Sequence, residues 1–154
     1  MVIEPSHHPA ADVYRLLTGL IVPRPIAFVS TLDAGGARNL APFSFFTAIS
    51  ANPPVICFSP MIRGRDGRRK DTLNNIEATR EFVVNIVSEQ IARQMNACSA
   101  DVPPDTDEFT LSGLTPVASD LVLPPRVGES PAAMECRLLQ VVHVSGKPLG
   151  GSLV

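Results

Sequence analysis

The stretch from Pro23 to Pro60, PRPIAFVSTLDAGGARNLAPFSFFTAISANPPVICFSP, holds five of the eight aromatic residues of this 154-residue chain and its clearest strand pattern. Ile26 to Thr31 is β-branched and aromatic, and Asp33-Ala-Gly-Gly36 follows with residue types that tolerate positive φ, so the pair reads as a hairpin. The returning limb, Asn39 to Ser50, carries Phe43, Phe45 and Phe46 beside Ser44 and Thr47. It also contains Pro42, which a central strand resists, so an edge, bulge or bend is expected there. Asn52-Pro-Pro54 stops that limb, and Val55 to Ser59 makes a third short strand closed by Pro60. Three antiparallel strands with one break offer a binding surface.

The rest of the chain is read around this stretch. Val13, Leu16, Leu17 and Leu20 stand at i, i+3, i+4 and i+7, which predicts a short amphipathic helix over Pro9 to Thr18 packing one face. Residues 61–70, MIRGRDGRRK, form a loop with five of the thirteen basic residues. A helix over Thr72 to Arg80 follows, capped by Asp71 or Thr72. Glu81 to Val87 reads as a buried strand, and Ser88 caps a second helix whose Ile91, Met95 and Cys98 mark an apolar side. Ser99 to Asp107 has no periodicity and two prolines, hence an exposed loop. A short strand near Pro116 to Leu121 and a long one from Ala132 to Val144 complete the pattern. Because the chain ends on Leu153-Val154 just after Gly150-Gly151, it reads as stopping short of a further paired strand. Many strands and few helices predict a mainly β protein, a β-barrel with peripheral helices, as one domain over 1–154 that is incomplete at its C-terminus.

A chain of this length buries about 70% of its unfolded surface, enough for a core without staples. Cys57, Cys98 and Cys136 are odd in number and far apart, which fits reduced core thiols rather than a disulfide framework or zinc site. The formal charge of −2 and pI of about 5.9 give no reason to expect a nucleic-acid partner. No apolar run approaches the ~20 residues of a membrane span, and the N-terminus has neither the basic start nor the apolar core of a signal peptide. A cytoplasmic location is the expectation.

Familiar catalytic patterns are missing. There is no G-x-S-x-G elbow, and His7 and His8 lie in the N-terminal segment. His143 is seven positions from Cys136, which puts the two on opposite faces of a regular strand, so His143 reads as a satisfied sheet histidine. No ligand spacing for a metal occurs, nor either glycine-rich nucleotide motif. Two features remain. Arg63, Arg65, Arg68, Arg69 and Lys70 lead into a helix N-terminus, where Lys70, Thr72 and free amides suit a phosphate; the other reading is a solvated loop. Asn39 to Phe46 alternates small polar residues with Phe beside Pro42. A planar ring fits such a strand, with Asn39, Ser44 or backbone N–H groups at its edge; the other reading is a core strand. A phosphate at one end and a flat ring at the other describe flavin mononucleotide, FMN.

These residues carry a resemblance. Tyr14-Arg-Leu-Leu17, Pro23 to Thr31, Asn39 to Phe46, Asn52-Pro-Pro54 and Lys70-Asp-Thr-Leu73, followed by Glu81 to Asn85, Glu108-Phe109, Gly113-Leu114 and Glu135-Cys136, resemble the flavin reductase-like family of FMN-binding split barrels. Each motif is weak alone; their order and spacing are specific. The resemblance implies a homodimer of six-stranded Greek-key barrels with FMN near the subunit interface. It implies electron transfer from NADH or NADPH through flavin to a free flavin serving a monooxygenase, to ferric iron or to a protein. It places Ser30, Thr31, Asn39, Ala41, Ser44 and Phe45 against the flavin, with Ser59, Lys70 and Thr72 at its phosphate, and it needs no acid–base residue from the protein. Arginines 63–69 and the Ser99–Asp107 loop would guide the nicotinamide nucleotide. The family continues beyond Val154 with further strands that close the barrel. Two rival expectations are a flavin-binding carrier or sensor without NAD(P)H turnover, and a nucleic-acid-binding barrel using Arg63 to Lys70. The second is disfavoured by the acidic pI and by the lack of aromatics among those basic residues.

Overall fold

The computed structural model describes residues 2–154. Its centre is a four-stranded antiparallel sheet in the order β2-β1-β5-β8, formed by β1 (Ala27–Leu32), β2 (Arg38–Phe43), β5 (Glu81–Ile86) and β8 (Ala133–Arg137). The Asp33 to Gly36 turn closes the β1–β2 hairpin as expected. Asp33 accepts from the amides of Gly35 and Ala37, and Gly36 takes φ 87°. Pro42 lies on β2, at the edge of the sheet, where its missing N–H costs no ladder bond. The limb then breaks at Ser44-Phe45 and resumes as β3 (Phe46–Ala51), which pairs with β4 (Pro54–Phe58) through a bulge between Ala48 and Ser50.

The strands of β1 and β5 are buried on both faces, which is why they read as continuous rather than alternating apolar runs. On one face Ala27, Val29, Phe82 and Val84 meet Leu73 and Ile76 of α2 (Asp71–Thr79) and Phe58 of β4. On the other, Phe28 and Leu40 meet Ile91, Cys98, Phe109 and Leu114 from α3 (Ala92–Ala97), α4 (Glu108–Ser112) and their flanks. Asn85, fully buried, ties this second layer down. Its amide donates to the Phe28 carbonyl at 3.0 Å and to Ser30 Oγ at 3.2 Å, while its oxygen accepts from Val127 N at 2.8 Å.

A second, frayed wall faces the sheet. β9 (Val142–His143) pairs with β10 (Ser152–Leu153), and residues 149–154 also bond to residues 58–62, with Phe58 and Val154 exchanging both backbone bonds. The architecture is a β-rich split barrel, open rather than closed, with helices on its periphery.

Four expectations change. α1 (Ala10–Leu20) runs two residues further than its pattern suggested and buries none of its residues; Leu17 is 45% and Leu20 79% exposed, because the helix lies on the rim of the barrel. The strand read over Ala132 to Val144 is broken after Arg137: Leu138 N still donates to the Arg80 carbonyl in register, but Arg80 is the left-handed C-cap of α2 and gives its own N–H to Ile76, so the partner strand starts only at Glu81. Only β6 (Pro116–Val117), paired with β7 (Arg126–Val127), remains of the strand near Pro116 to Leu121. Beyond it the Glu135 carboxylate takes the amides of Asp120 and Leu121. Helix α4 was not foreseen; Asp107 caps it by accepting from Phe109 N, and Gly113 ends it at φ 72°. All three cysteines are free, and burial pushes the Cys136 thiol up to about 11, leaving it unreactive at neutral pH. Among the described residues no helix is long and apolar enough to cross a membrane.

Candidate functional site

Strand register sets the site. Thr31 and Asn39 face each other across the β1–β2 pair, on the face that α2 covers. Asn39 Nδ2 donates to Thr72 Oγ1 at 2.9 Å and to Thr31 Oγ1 at 3.2 Å, and Asn75 Nδ2 donates to Thr31 Oγ1 at 3.1 Å. This buried polar knot plants the N-terminus of α2 at the end of the hairpin. Three of the predicted positions, Thr31, Asn39 and Thr72, therefore meet in space although 41 residues separate the outer two (Thr31 and Thr72).

No side chain caps α2. Its N-cap is Lys70, and Asp71 occupies the first helical turn, so neither Asp71 nor Thr72 caps as expected. The Asp71 carboxylate instead accepts from Arg63 Nη2 at 2.6 Å. Arg63 Nε is buried without a hydrogen-bond partner, a donor that favours an additional acceptor oxygen. Lys70 Nζ donates to Asp101 Oδ1 at 3.1 Å. The cradle thus contains Lys70 Nζ, Arg63 Nε and an uncapped helix terminus, a donor set that fits a phosphate. The remaining basic residues diverge: Arg69 pairs with Glu77, while Arg65 and Arg68 are exposed. The loop is therefore not a uniform basic face.

The other predicted positions lie along β2 and beyond it. Ala41 is half-buried against the barrel core. Ser44 Oγ accepts from Arg24 Nε at 3.3 Å, and the guanidinium of Arg24 lies 5.8 Å from the centre of the Phe45 ring. Tyr14 of α1 meets the same ring edge-on at 6.4 Å. Ser59 N donates to the Phe45 carbonyl at 2.9 Å, and Ser59 Oγ stands 3.0 Å from where a β-carbon on Gly151 would lie. An open groove of about 460 Å3 is lined by Val13, Tyr14, Leu17, Met61 and Leu149.

Ser30 stands apart. Its side chain is on the opposite face of β1 from Thr31 and is fully buried, and its hydroxyl donates to the Pro125 carbonyl and accepts from Asn85. His143 is engaged as a sheet histidine: Nδ1 is 3.0 Å from Ser152 Oγ and Nε2 3.1 Å from Glu77 Oε1. Sequence reasoning missed Asn75, whose signal was its position three residues after Thr72 on one helix face, and Arg24, whose partners are set by tertiary structure alone.

An open split barrel with a cationic cradle beside its edge strand defines a class, and comparison gives the family. The family described as flavin reductase like domain matches residues 19–148. The crystal structure of nitrilotriacetate monooxygenase component B from Bacillus cereus has a TM-score of 0.92 at 37% identity, covering 99% of this chain and 76% of that one. The 2-nitrobenzoate 2-nitroreductase of Pseudomonas fluorescens has a TM-score of 0.87 at 33% identity, covering 99% and 71%. An uncharacterized protein of Aquifex aeolicus is 44% identical over 132 residues, 86% of this chain and 67% of its own length. A Bacillus subtilis relative is 43% identical over 84% of this chain, which spans 62% of that protein. The chain belongs to the flavin reductase-like family, with its split-barrel fold.

Proposed function

We propose that this chain is an FMN-dependent oxidoreductase of flavin reductase type that takes electrons from NADH or NADPH. The observation that carries the reading is the cradle in which Lys70 Nζ and the unpartnered Arg63 Nε converge beside the uncapped N-terminus of α2. Lys70, Arg63 and Thr72 hold the phosphate, and the knot through Asn39, Thr31 and Asn75 fixes that corner against β2. Ala41, Ser44, Phe45 and Ser59 line the way from the phosphate toward the ring, where the groove beside Tyr14 and Met61 supplies an apolar wall. Ser30 acts through its backbone and through the loop it anchors at Pro125. Bound flavin supplies hydride and electron transfer; the protein's part is to position it and leave one ring face open to the nicotinamide. Arg65 and Arg68, both exposed, and the 99–107 loop guide the second nucleotide.

The acceptor is a free flavin or a protein partner, a reading supported by similarity to a monooxygenase component at 37% identity. Similarity to a nitroreductase at 33% identity supports a second: direct reduction of a small organic acceptor. The protein works in the cytoplasm as a homodimer, the uncovered apolar stripe of α1 lying toward its twin. An absorption spectrum during FMN titration, followed by NADH and NADPH oxidation with riboflavin or 2-nitrobenzoate as acceptor, tests the whole reading. Lys70→Ala is expected to weaken FMN tenfold or more, since hydrogen bonds to charged groups are worth about 1.5–3 kcal/mol. Unchanged FMN affinity would remove the phosphate assignment, and bound FMN without NAD(P)H oxidation would leave a carrier.

A further inference from the structure

The phosphate cradle already holds an anion that belongs to the chain. Asp101, in the segment 99–107, brings Oδ1 to 3.1 Å from Lys70 Nζ and 3.9 Å from Arg63 Nε. Lys70 is the main cause that holds the Asp101 carboxyl below its ordinary value, with Arg63 and Arg65 adding to it, so the group is ionised at neutral pH. At the far end of the same segment Asp107 accepts from Arg38 Nη2 on β2. Two ion pairs therefore pin residues 101–107 to the rim of the cradle, one to Lys70 before α2 and one to β2.

The fit is poor in one respect. A single carboxylate oxygen satisfies Lys70 but stops short of Arg63 Nε, which is left buried without a hydrogen bond. A phosphate monoester brings three acceptor oxygens and nearly twice the charge, enough to serve both donors and the helix terminus. The carboxylate is easy to displace, because Lys70 and Asp101 are 30% and 35% exposed and water screens the pair.

We propose that Asp101 is a latch: an internal carboxylate that occupies the phosphate cradle and is displaced from Lys70 and Arg63 by the phosphate of an incoming ligand, which frees the 99–107 segment up to its Asp107 anchor on Arg38. The idea rests on the reading of the cradle as a flavin phosphate site. Its consequence is selectivity. A ligand without a phosphate cannot open the latch, and one with a phosphate binds with the cradle's intrinsic affinity multiplied by the fraction of time the latch is open. Freed on ligand entry, the segment becomes available where the second nucleotide is to dock.

The test titrates the full chain with FMN and with riboflavin, following flavin fluorescence, in the wild type, Asp101→Asn and Lys70→Ala. It adds hydrogen exchange of the 99–107 amides with and without FMN. Asp101→Asn removes the competing charge and is expected to tighten FMN about three- to fivefold while leaving riboflavin unchanged. FMN is expected to speed exchange across 99–107 in the wild type and to make little difference in Asp101→Asn, where the segment is already loose. If Asp101 instead only orients Lys70, Asp101→Asn weakens FMN and the latch is wrong. An unchanged FMN-to-riboflavin ratio, or FMN slowing exchange in 99–107, also overturns it while leaving the flavin site intact. FMN binding to neither the wild type nor Asp101→Asn overturns the flavin reading and the latch together.

Discussion

Glu108 is a carboxylate at 7% exposure, with Oε2 accepting from Leu40 N at 3.0 Å. Burial pushes its pKa above the ordinary 4.5, the charges of Asp107 and Asp71 adding to the rise and the Leu40 amide opposing it. The folded chain thus holds a proton that the unfolded chain releases, so this group's contribution is fully present below about pH 4.5 and is lost as pH rises through the raised value. Glu108→Gln keeps an acceptor for Leu40 N and removes the buried charge. It is expected to match or exceed the wild type in stability at pH 7 and to flatten the decline above pH 4.5, measured by urea denaturation across pH 4–8. Glu108-Phe109 was legible as a motif, but the burial of the carboxylate was not, because its partner is an amide 68 residues away. The same holds for Lys70 and Thr72. The residue types pointed to a phosphate site, whereas Asp101, the carboxylate paired with Lys70, came from a loop with no pattern to place it.

At the scale of elements, legibility followed local chemistry. β1, β2 and β4 were bounded by Gly, Asn and Pro signals that act within a few residues, α2 and β5 by their apolar spacing, and all appear within about two residues of where those signals put them. α4 carried such a signal too, Asp107 before it and Gly113 after it, in a run too short to show helical periodicity. The break after Arg137 had none, since it depends on Arg80 ending α2 in a left-handed conformation and giving its N–H to Ile76. The turn before β10 shows how tightly one position is held: a β-carbon on Gly150 would stand 2.7 Å from the carbonyl oxygens of Ser145 and Lys147. Gly150→Ala is expected to cost about 2 kcal/mol or more through forced backbone shifts. Thermal unfolding would show the loss, and hydrogen exchange would place it in residues 149–154 and in their partners at 58–62.

The molecule as a whole has two apolar layers that share one sheet. Since β1 contributes to both, neither layer can come apart alone without exposing the other. Phe28→Ala, in the layer under α3 and α4, is expected to cost about 3–5 kcal/mol and to keep a single unfolding transition. Amides of α2, on the opposite face, should lose exchange protection by the same factor as those of α4; loss confined to α4 would show two separable units. Fold class was readable because it depends on the count and spacing of strands. The exposed stripe of α1 was not, because its periodicity shows that a helix has an apolar face and leaves open what covers it.

The outer rim of β2 has one more consequence. Leu40 and Pro42 point their backbone away from β1, and a sheet rim with free donors is a template on which foreign chains polymerise. Here Leu40 N is already taken by Glu108 and Pro42 has no N–H to give. The side chain that makes the fold sensitive to pH is thus also a plug against fibre growth along that rim.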